Sequence, residues 1–155
     1  MNGPTIAARL EAFNAAFNRG DLDEVMAAFA ETAEYLPGDG SRHVGRAAIR
    51  KAFEPQFAGA FGAMRFDLED QFVDEQARKA TSRWICRHDL SGKHGARVSP
   101  FLKLFIRARH GARVGWRGVD VFHFDGAGLI TGKYTYATYD RPKLSRELGV
   151  PLAGE

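Results

Sequence analysis

One acidic residue near the end of the sequence has the surroundings expected of a chemical site. Residues 116–124 alternate in a strand-like pattern, so Asp120 shares a face with Phe122 and Phe124, and with Trp116 earlier in the run. A carboxyl group among aromatic side chains must be protonated, paired with a cation or bound to a ligand. Asp120 is therefore a candidate hydrogen-bond donor to a ligand carbonyl, or an acid–base group. The alternative is a structural ion pair or hydrogen bond.

Lys133 is the cation that a hairpin would bring to this carboxylate. The glycine-rich turn at residues 125–128 predicts that two strands fold back on each other. A loop of two or four residues places Asp120 directly opposite Lys133 and Phe124 opposite Leu129, whereas a three-residue loop turns Lys133 to the other face. Lys133 is then a counter-ion, or an acid or Schiff-base nucleophile.

His88 is the candidate base at neutral pH. It ends a predicted strand at residues 77–90, on the face that also carries Ala80, Ser82, Trp84 and Cys86. A histidine in this position is also typical of a polar rim with no catalytic role. His88, Asp89 and His94 lack a metal-ligand pattern, so we expect no metal, and Cys86 is expected to be a buried, inert thiol.

Three amphipathic helices come before the strands that carry these residues. The first ends at Gly20, and Asp21 with Glu24 predicts the capping of the second, which would extend to Phe29. The third begins near Gly45, and Pro55 is expected to kink it or end it early. The apolar positions of the helices are Ile6, Leu10, Phe13, Phe17, Leu22, Val25, Met26, Phe29, Ile49, Phe53 and Phe57.

Alternating strands follow after Gly62. Phe66, Leu68 and Phe72 are expected on one face of the first strand, opposite Arg65, Asp67, Glu69 and Gln71. The last strand is predicted at residues 129–139, and a short helix at 142–148. Helices followed by antiparallel strands predict an α+β fold, with the helices on one face of a curled sheet and one domain over residues 1–155.

Composition and charge exclude several classes of protein. The chain has 155 residues, one cysteine and no apolar run long enough to cross a membrane, so we expect a cytoplasmic protein without a membrane partner. Residues 90–118 contain seven Lys or Arg and no Asp or Glu. No nucleic-acid motif accompanies them, so nucleic acid is not the expected partner. The apolar residues between 100 and 106 are expected to cover a cavity mouth or a subunit interface.

Several blocks resemble ketosteroid isomerase and the SnoaL-type polyketide cyclases of the nuclear transport factor 2-like superfamily. The blocks are residues 13–22 (FNAAFNRGDL), 29–37, 45–50, 118–126 and 128–130. This resemblance implies a cone-shaped barrel, in which a strongly curved and mostly antiparallel sheet wraps over three N-terminal helices. It also implies a pocket for a small molecule and a homodimer paired through the outer face of the sheet.

The resemblance also excludes the steroid isomerase mechanism. Leu36 occupies the place of that enzyme's Asp base, and Phe13 that of its oxyanion Tyr, whereas Asp120 matches its second oxyanion donor. SnoaL-type cyclases and limonene epoxide hydrolases carry an acid at a place that falls on about Thr135. Neither Leu36 nor Thr135 can serve as a general base.

The sequence therefore predicts a pocket for a small hydrophobic molecule, with no cofactor. The expected function is an isomerase, cyclase or hydratase/hydrolase acting on a hydrophobic carbonyl or polycyclic compound, with Asp120, His88 and Lys133 as catalytic candidates. The alternatives are a non-catalytic binding or accessory protein and, less favoured, a module that binds nucleic acid or a protein through the basic segment. The expected ligand-binding residues are Phe13, Leu36, Phe53, Phe57, Trp84, Trp116, Phe122 and Tyr136.

Overall fold

The first three helices cover the concave side of one open sheet in the computed structural model, which describes residues 3–137. The helices are α1 (Ile6–Arg19), α2 (Leu22–Ala27), α3 (Arg46–Phe57) and α4 (Pro100–His110), with a short 3₁₀ helix at Gly92–Gly95. The strands are β1 (Phe29–Leu36), β2 (His43–Val44), β3 (Ala63–Asp74), β4 (Lys79–Asp89), β5 (Arg113–Phe124) and β6 (Ile130–Ala137). The predicted α+β class is confirmed.

The sheet has the order β2-β1-β6-β5-β4-β3. Among the strands described, β1 and β6 alone run parallel, and every other neighbouring pair is antiparallel. The curved, mostly antiparallel sheet of the expected cone is therefore present. It is not a closed barrel, because β2 and β3 are its two edges.

The helix ends follow the sequence signals, with two adjustments. Asp21 accepts a hydrogen bond from the backbone N–H of Glu24, as predicted for the cap of α2. However, α2 ends at Ala27, and Phe29 begins β1 instead of extending the helix. Pro55 lies in the last turn of α3, which continues to Phe57, so the helix is not ended early at the proline.

The core lies where α1, α2 and α3 meet the sheet. Phe13 of α1 packs edge-on against Phe29 of β1 and Phe122 of β5. Phe53 of α3 also packs edge-on against Phe29. Aromatic rings in edge-to-face contact add to the stabilisation from burial, so this cluster ties the helices to β1 and β5.

A bulge in β3 corrects the expected faces of that strand. The pairing with β4 shifts between Leu68 and Asp70, so Glu69 is an extra residue. Side chains after Glu69 therefore lie on the face opposite to the one that regular alternation predicts. Gln71 consequently joins Phe66 and Leu68 on the cavity face. Phe72, which was expected to share that face, lies on the outer face and is 72% exposed.

The β5–β6 hairpin has a register that the sequence analysis did not predict. Asp120 lies opposite Thr135, and Lys133 lies opposite Phe122. The turn holds three residues between Asp125 and Leu129, with Gly128 at a positive φ of 78°, which shifts the register once. A bulge at Thr131 shifts it again. Because the register shifts by one residue twice, the side chains of β6 lie on the same faces as they would without any shift, and Lys133 still faces inward.

Helix α4 accounts for the segment whose structure the sequence left open. Its apolar side chains do not line the cavity, so the expectation that they cover the cavity mouth is wrong, and the alternative place in a subunit interface stays a prediction. The helix predicted at residues 142–148 and the predicted end of the last strand, beyond Ala137, lie outside the described residues.

Asn18 should make a measurable contribution to stability, because it joins α1 to the backbone of β3. Its side-chain amide donates to the Phe66 carbonyl at 2.9 Å and accepts from the Phe66 N–H at 2.8 Å. We expect Asn18→Ala to lower the free energy of unfolding by about 1–2 kcal/mol. Chemical denaturation measures this loss. Asn14→Ala, on the same helix, is the matched control, and an equal loss in both variants would contradict the role of Asn18.

Candidate functional site

A cavity of about 960 Å³ lies between the helices and the concave face of the sheet. Its wall combines aromatic side chains, Phe13, Phe53, Trp84 and Trp116 among them, with a similar number of polar ones. A volume of this order is ample for a drug-sized molecule. The polar side chains on the wall therefore decide which chemistry the cavity can perform.

Asp120 and Lys133 form a buried ion pair on this wall, and each is only 6% exposed. The Lys133 Nζ donates to Asp120 Oδ1 at 2.7 Å, and the Thr135 hydroxyl donates to the same oxygen at 2.6 Å. Across the sheet, the Trp84 Nε1–H donates to Asp120 Oδ2 at 2.9 Å. The predicted pairing of Asp120 with Lys133 is present, although the two residues lie diagonally rather than directly opposite each other.

These bonds identify the charge of the pair. The three partners that Asp120 has among residues 3–137 are all donors, one of them an ammonium group, so the carboxylate acts only as an acceptor and is ionised. This geometry matches the ion pair that the sequence analysis gave as an alternative. It does not match a neutral carboxylic acid that donates a hydrogen bond to a ligand carbonyl.

The pair retains capacity for a ligand. A carboxylate has about four acceptor sites, of which Lys133, Thr135 and Trp84 use three. The Lys133 ammonium has three N–H donors, and two point to oxygen atoms of Asp120 and Thr135. For the third, the neighbours recorded between residues 3 and 137 are the rings of Tyr35 and Phe122, at 5.0 and 5.6 Å from Nζ to the ring centroids. The cavity wall thus offers an anionic acceptor beside a cationic donor.

Gly118 allows the Trp84 indole to reach Asp120. The two residues lie opposite each other on β4 and β5. A Cβ atom at position 118 would lie 2.4 Å from the indole Cη2, which is too close for any side chain. The alternation of residues 116–124 also puts Gly118 on the Asp120 face, but the sequence analysis gave this glycine no role. A glycine inside an alternating strand was the available signal for this close approach.

His88 is held as a neutral imidazole with both nitrogens engaged. Nδ1 donates to the Phe61 carbonyl at 3.0 Å, and Nε2 accepts from the Trp116 Nε1–H at 2.8 Å. Burial lowers the pKa of His88, and the bond to the Phe61 carbonyl opposes this shift only in part. His88 lines the cavity, but its basic nitrogen already accepts a hydrogen bond.

Cys86 lies beside this histidine. Its Sγ is 3.4 Å from the His88 Nε2. Burial raises the pKa of the Cys86 thiol to about 12. The side chain is therefore a thiol rather than a reactive thiolate, as the sequence analysis predicted.

The cavity contains four of the eight expected ligand-binding residues, namely Phe13, Phe53, Trp84 and Trp116. Phe122 and Phe57 pack behind the wall, against Phe13 and Phe17 respectively. On β1 the inward residue is Tyr35, so Leu36 does not line the cavity. Tyr136 follows the inward Thr135 and is 66% exposed on the outer face, so its expected place at the cavity is wrong.

The sequence analysis missed several polar residues of the wall. The cavity is also lined by Tyr35, Asn14, Gln71 and Ser82. The sequence analysis considered Thr135 only as the place where related enzymes carry an acid, but its hydroxyl donates a hydrogen bond to Asp120. Ser82 was known to share the Trp84 face, but Gln71 was hidden by the bulge in β3.

Residues 3–137 contain no group of three or more His, Cys, Asp or Glu side chains that could hold a metal ion. Within the same part of the chain, no helix is both long and apolar enough to cross a membrane.

Comparisons with known proteins agree with this architecture. A family model described as a SnoaL-like domain matches residues 10–132. The structure is similar to SalBIII, an epoxide hydrolase/cyclase-like enzyme with a role in pyran ring formation in the polyether salinomycin. The TM-score is 0.67 and the identity 17%, over 86% of this chain and 90% of that one.

Two further solved structures share the fold. A Mycobacterium tuberculosis protein in complex with estradiol-17beta-hemisuccinate has a TM-score of 0.65 and 16% identity, over 88% of this chain and 97% of that one. An NTF2-like protein of unknown function from Mesorhizobium loti has a TM-score of 0.60 and 22% identity, over 86% and 91% of the two chains. The comparison with curated proteins found no match.

The buried pair should show strong coupling in a double-mutant cycle. Removing one partner leaves an uncompensated buried charge, so we expect Asp120→Asn and Lys133→Met each to lower the free energy of unfolding by about 3–5 kcal/mol. The double variant should lose less than the sum of the two, and less than either single variant.

Thermal and chemical unfolding of the four proteins measure this coupling. Thr135→Val is the matched control, because it removes a neutral donor from the same carboxylate and should have a smaller effect. Additive losses in the double variant would show that the two charges do not stabilise each other.

Proposed function

Since the chain belongs to the SnoaL-like domain family, we propose that its cavity binds a small, largely apolar molecule with an oxygen function, and that Asp120 and Lys133 carry out acid–base chemistry on it. The reaction class is isomerisation, cyclisation or hydration-type chemistry on a carbonyl or polycyclic compound. The observation that carries the proposal is the buried ion pair, which residues 3–137 leave with one acceptor site and one N–H beside the cavity.

The pair supplies complementary groups for such a reaction. The Lys133 ammonium donates a hydrogen bond to a ligand oxygen and stabilises the negative charge that develops there. The Asp120 carboxylate accepts the proton of an attacking hydroxyl or water, or of an acidic C–H. Trp84 and Thr135 hold the carboxylate in place, so its free acceptor site keeps one direction. The aromatic wall limits water around both groups and strengthens these interactions.

A second function, binding without turnover, is favoured by the state of His88. Its two nitrogens are engaged by Phe61 and Trp116, so this candidate base has no lone pair free for a substrate proton. Leu36 and Phe13 add no acidic or basic group. In this case Lys133 and Asp120 only orient the ligand.

Ligand binding tests the site, and estradiol-17beta-hemisuccinate is a suitable first probe because a protein of the same fold was solved with it. We expect the probe to bind the wild type, measured by calorimetry or by quenching of tryptophan fluorescence. Lys133→Met should weaken binding by about 10–100-fold through the loss of a charged hydrogen bond. Lys79→Met, the same change at an exposed lysine of β4, is the matched control.

Native mass spectrometry of the purified protein then identifies any co-purified molecule as a test substrate. Conversion by the wild type that falls about 10²–10⁴-fold in Asp120→Asn supports the enzyme. Binding without conversion supports the second function.

A β,γ-unsaturated ketosteroid is the negative control, because Leu36 is no base. If Lys133→Met and the control Lys79→Met both bind every ligand as tightly as the wild type does, the ion pair of Asp120 and Lys133 is not part of the binding site.

We also propose that the protein is a homodimer paired through the outer face of the sheet. Phe72 and Tyr136 are exposed there, and Val121 lies between their strands on β5. A second copy would cover this apolar surface. Sedimentation should give a dimer of the 17.1 kDa chain, and Val121→Glu should shift it towards the monomer. A monodisperse monomer at high micromolar concentration would contradict the proposal.

A further inference from the structure

Helix α4 turns its apolar side away from the protein. Phe101, Leu104 and Phe105 are 86%, 69% and 68% exposed, and no residue of the helix is fully buried. Leu102 and Ile106, on the opposite side, are half-buried against the rest of the chain. A surface helix normally buries its apolar stripe, so this orientation presents a hydrophobic face, consisting of Phe101, Leu104 and Phe105, to an outside partner.

Basic side chains border this hydrophobic face. At 3.6 residues per turn, Arg107 lies at one edge of the face and Arg109 at the other. Residues 90–118 contain no Asp or Glu. In the described part of the chain, no carboxylate forms an ion pair with Lys103, Arg107 or Arg109. The charges of α4 are therefore available to an anionic partner.

We propose that α4 docks on the surface of an anionic phospholipid membrane. Phe101, Leu104 and Phe105 enter the interface between the headgroups and the acyl chains, and Arg107 and Arg109 contact the phosphate groups. An apolar face with arginine at both edges is the pattern of an interfacial helix. With 11 residues the helix lies in the interface and does not span the bilayer.

Other partners fit the same residues less well. A second copy that packed its own α4 against this one would bring two strongly basic helices together without any acidic side chain in the segment, and this costs free energy through like-charge repulsion. A nucleic acid would satisfy the arginines but leave the aliphatic part of the face exposed to water. An anionic membrane would cover the apolar face and also bind the arginines at its edges. A membrane partner is contrary to the expectation from the sequence.

Flotation with vesicles tests the proposal. We expect the protein to bind vesicles of equal parts phosphatidylcholine and phosphatidylglycerol, to bind phosphatidylcholine alone much less, and to dissociate as salt is raised. The variant with Phe101→Ala, Leu104→Ala and Phe105→Ala should lose at least about 100-fold in affinity, because three large apolar side chains no longer leave water. Arg107→Gln with Arg109→Gln should lose roughly 30-fold.

Val44→Ala is the matched control, since it shortens an exposed apolar side chain on β2 that neither α4 nor the proposed dimer contact uses. Circular dichroism checks that α4 is retained, and the arginine variant serves as the test if the alanine variant does not fold. Absence of binding to the anionic vesicles would overturn the proposal, as would equal binding by all variants. Self-association or nucleic-acid binding that depends on α4 without vesicle binding would also overturn it and identify the other partner.

Discussion

A carboxylate and an ammonium group that are removed from water require each other, together with enough hydrogen bonds to offset the hydration they have lost. Asp120 and Lys133 meet this requirement on the wall of the cavity. The pair would be costly without Thr135 and Trp84, which supply the two remaining donors to the carboxylate. The positions of β4, β5 and β6 relative to one another are therefore constrained by one small polar cluster.

The constraint extends to residues that never touch the pair. Gly118 has no side chain, and only for this reason can the Trp84 indole lie across β5 and reach Asp120. The bulge at Thr131 returns Lys133 to the inner face after the three-residue turn has shifted the register. Removing either feature would separate a donor from the carboxylate. The cluster thus depends on the backbone of the whole hairpin as much as on its own side chains.

The aromatic core and the polar cluster have different roles. Phe13, Phe29 and Phe122 fix the helices on the sheet and leave a cavity beside them. That apolar surrounding strengthens the electrostatic interactions of the pair, because less water screens them. A ligand oxygen that enters the cavity meets both charges in fixed positions, and this preorganisation is the physical basis of the proposed chemistry.

The sequence predicted those parts of the site that lie on strands without a bulge, where the side chains alternate regularly between the two faces of the sheet. Asp120 lies on the expected face because β5 pairs with β4 without any shift from Arg113 to His123. The faces of Phe72 and Gln71 were predicted wrongly, because the bulge at Glu69 depends on local backbone geometry that alternation does not encode. The register of Lys133 was wrong for the same reason, and its inward position survived because two shifts cancel. The capping of α2 was readable, since it depends on neighbours in the sequence.

The most direct test of this account is a crystal structure of the protein with a ligand bound, because it shows which atoms of the pair the ligand meets. The account predicts electron density for the ligand in the cavity, with one of its oxygens within hydrogen-bonding distance of Lys133 Nζ or Asp120, and with the bond between those two residues intact. A ligand bound in the cavity through apolar contacts alone, with the inner side of the pair untouched, would contradict it.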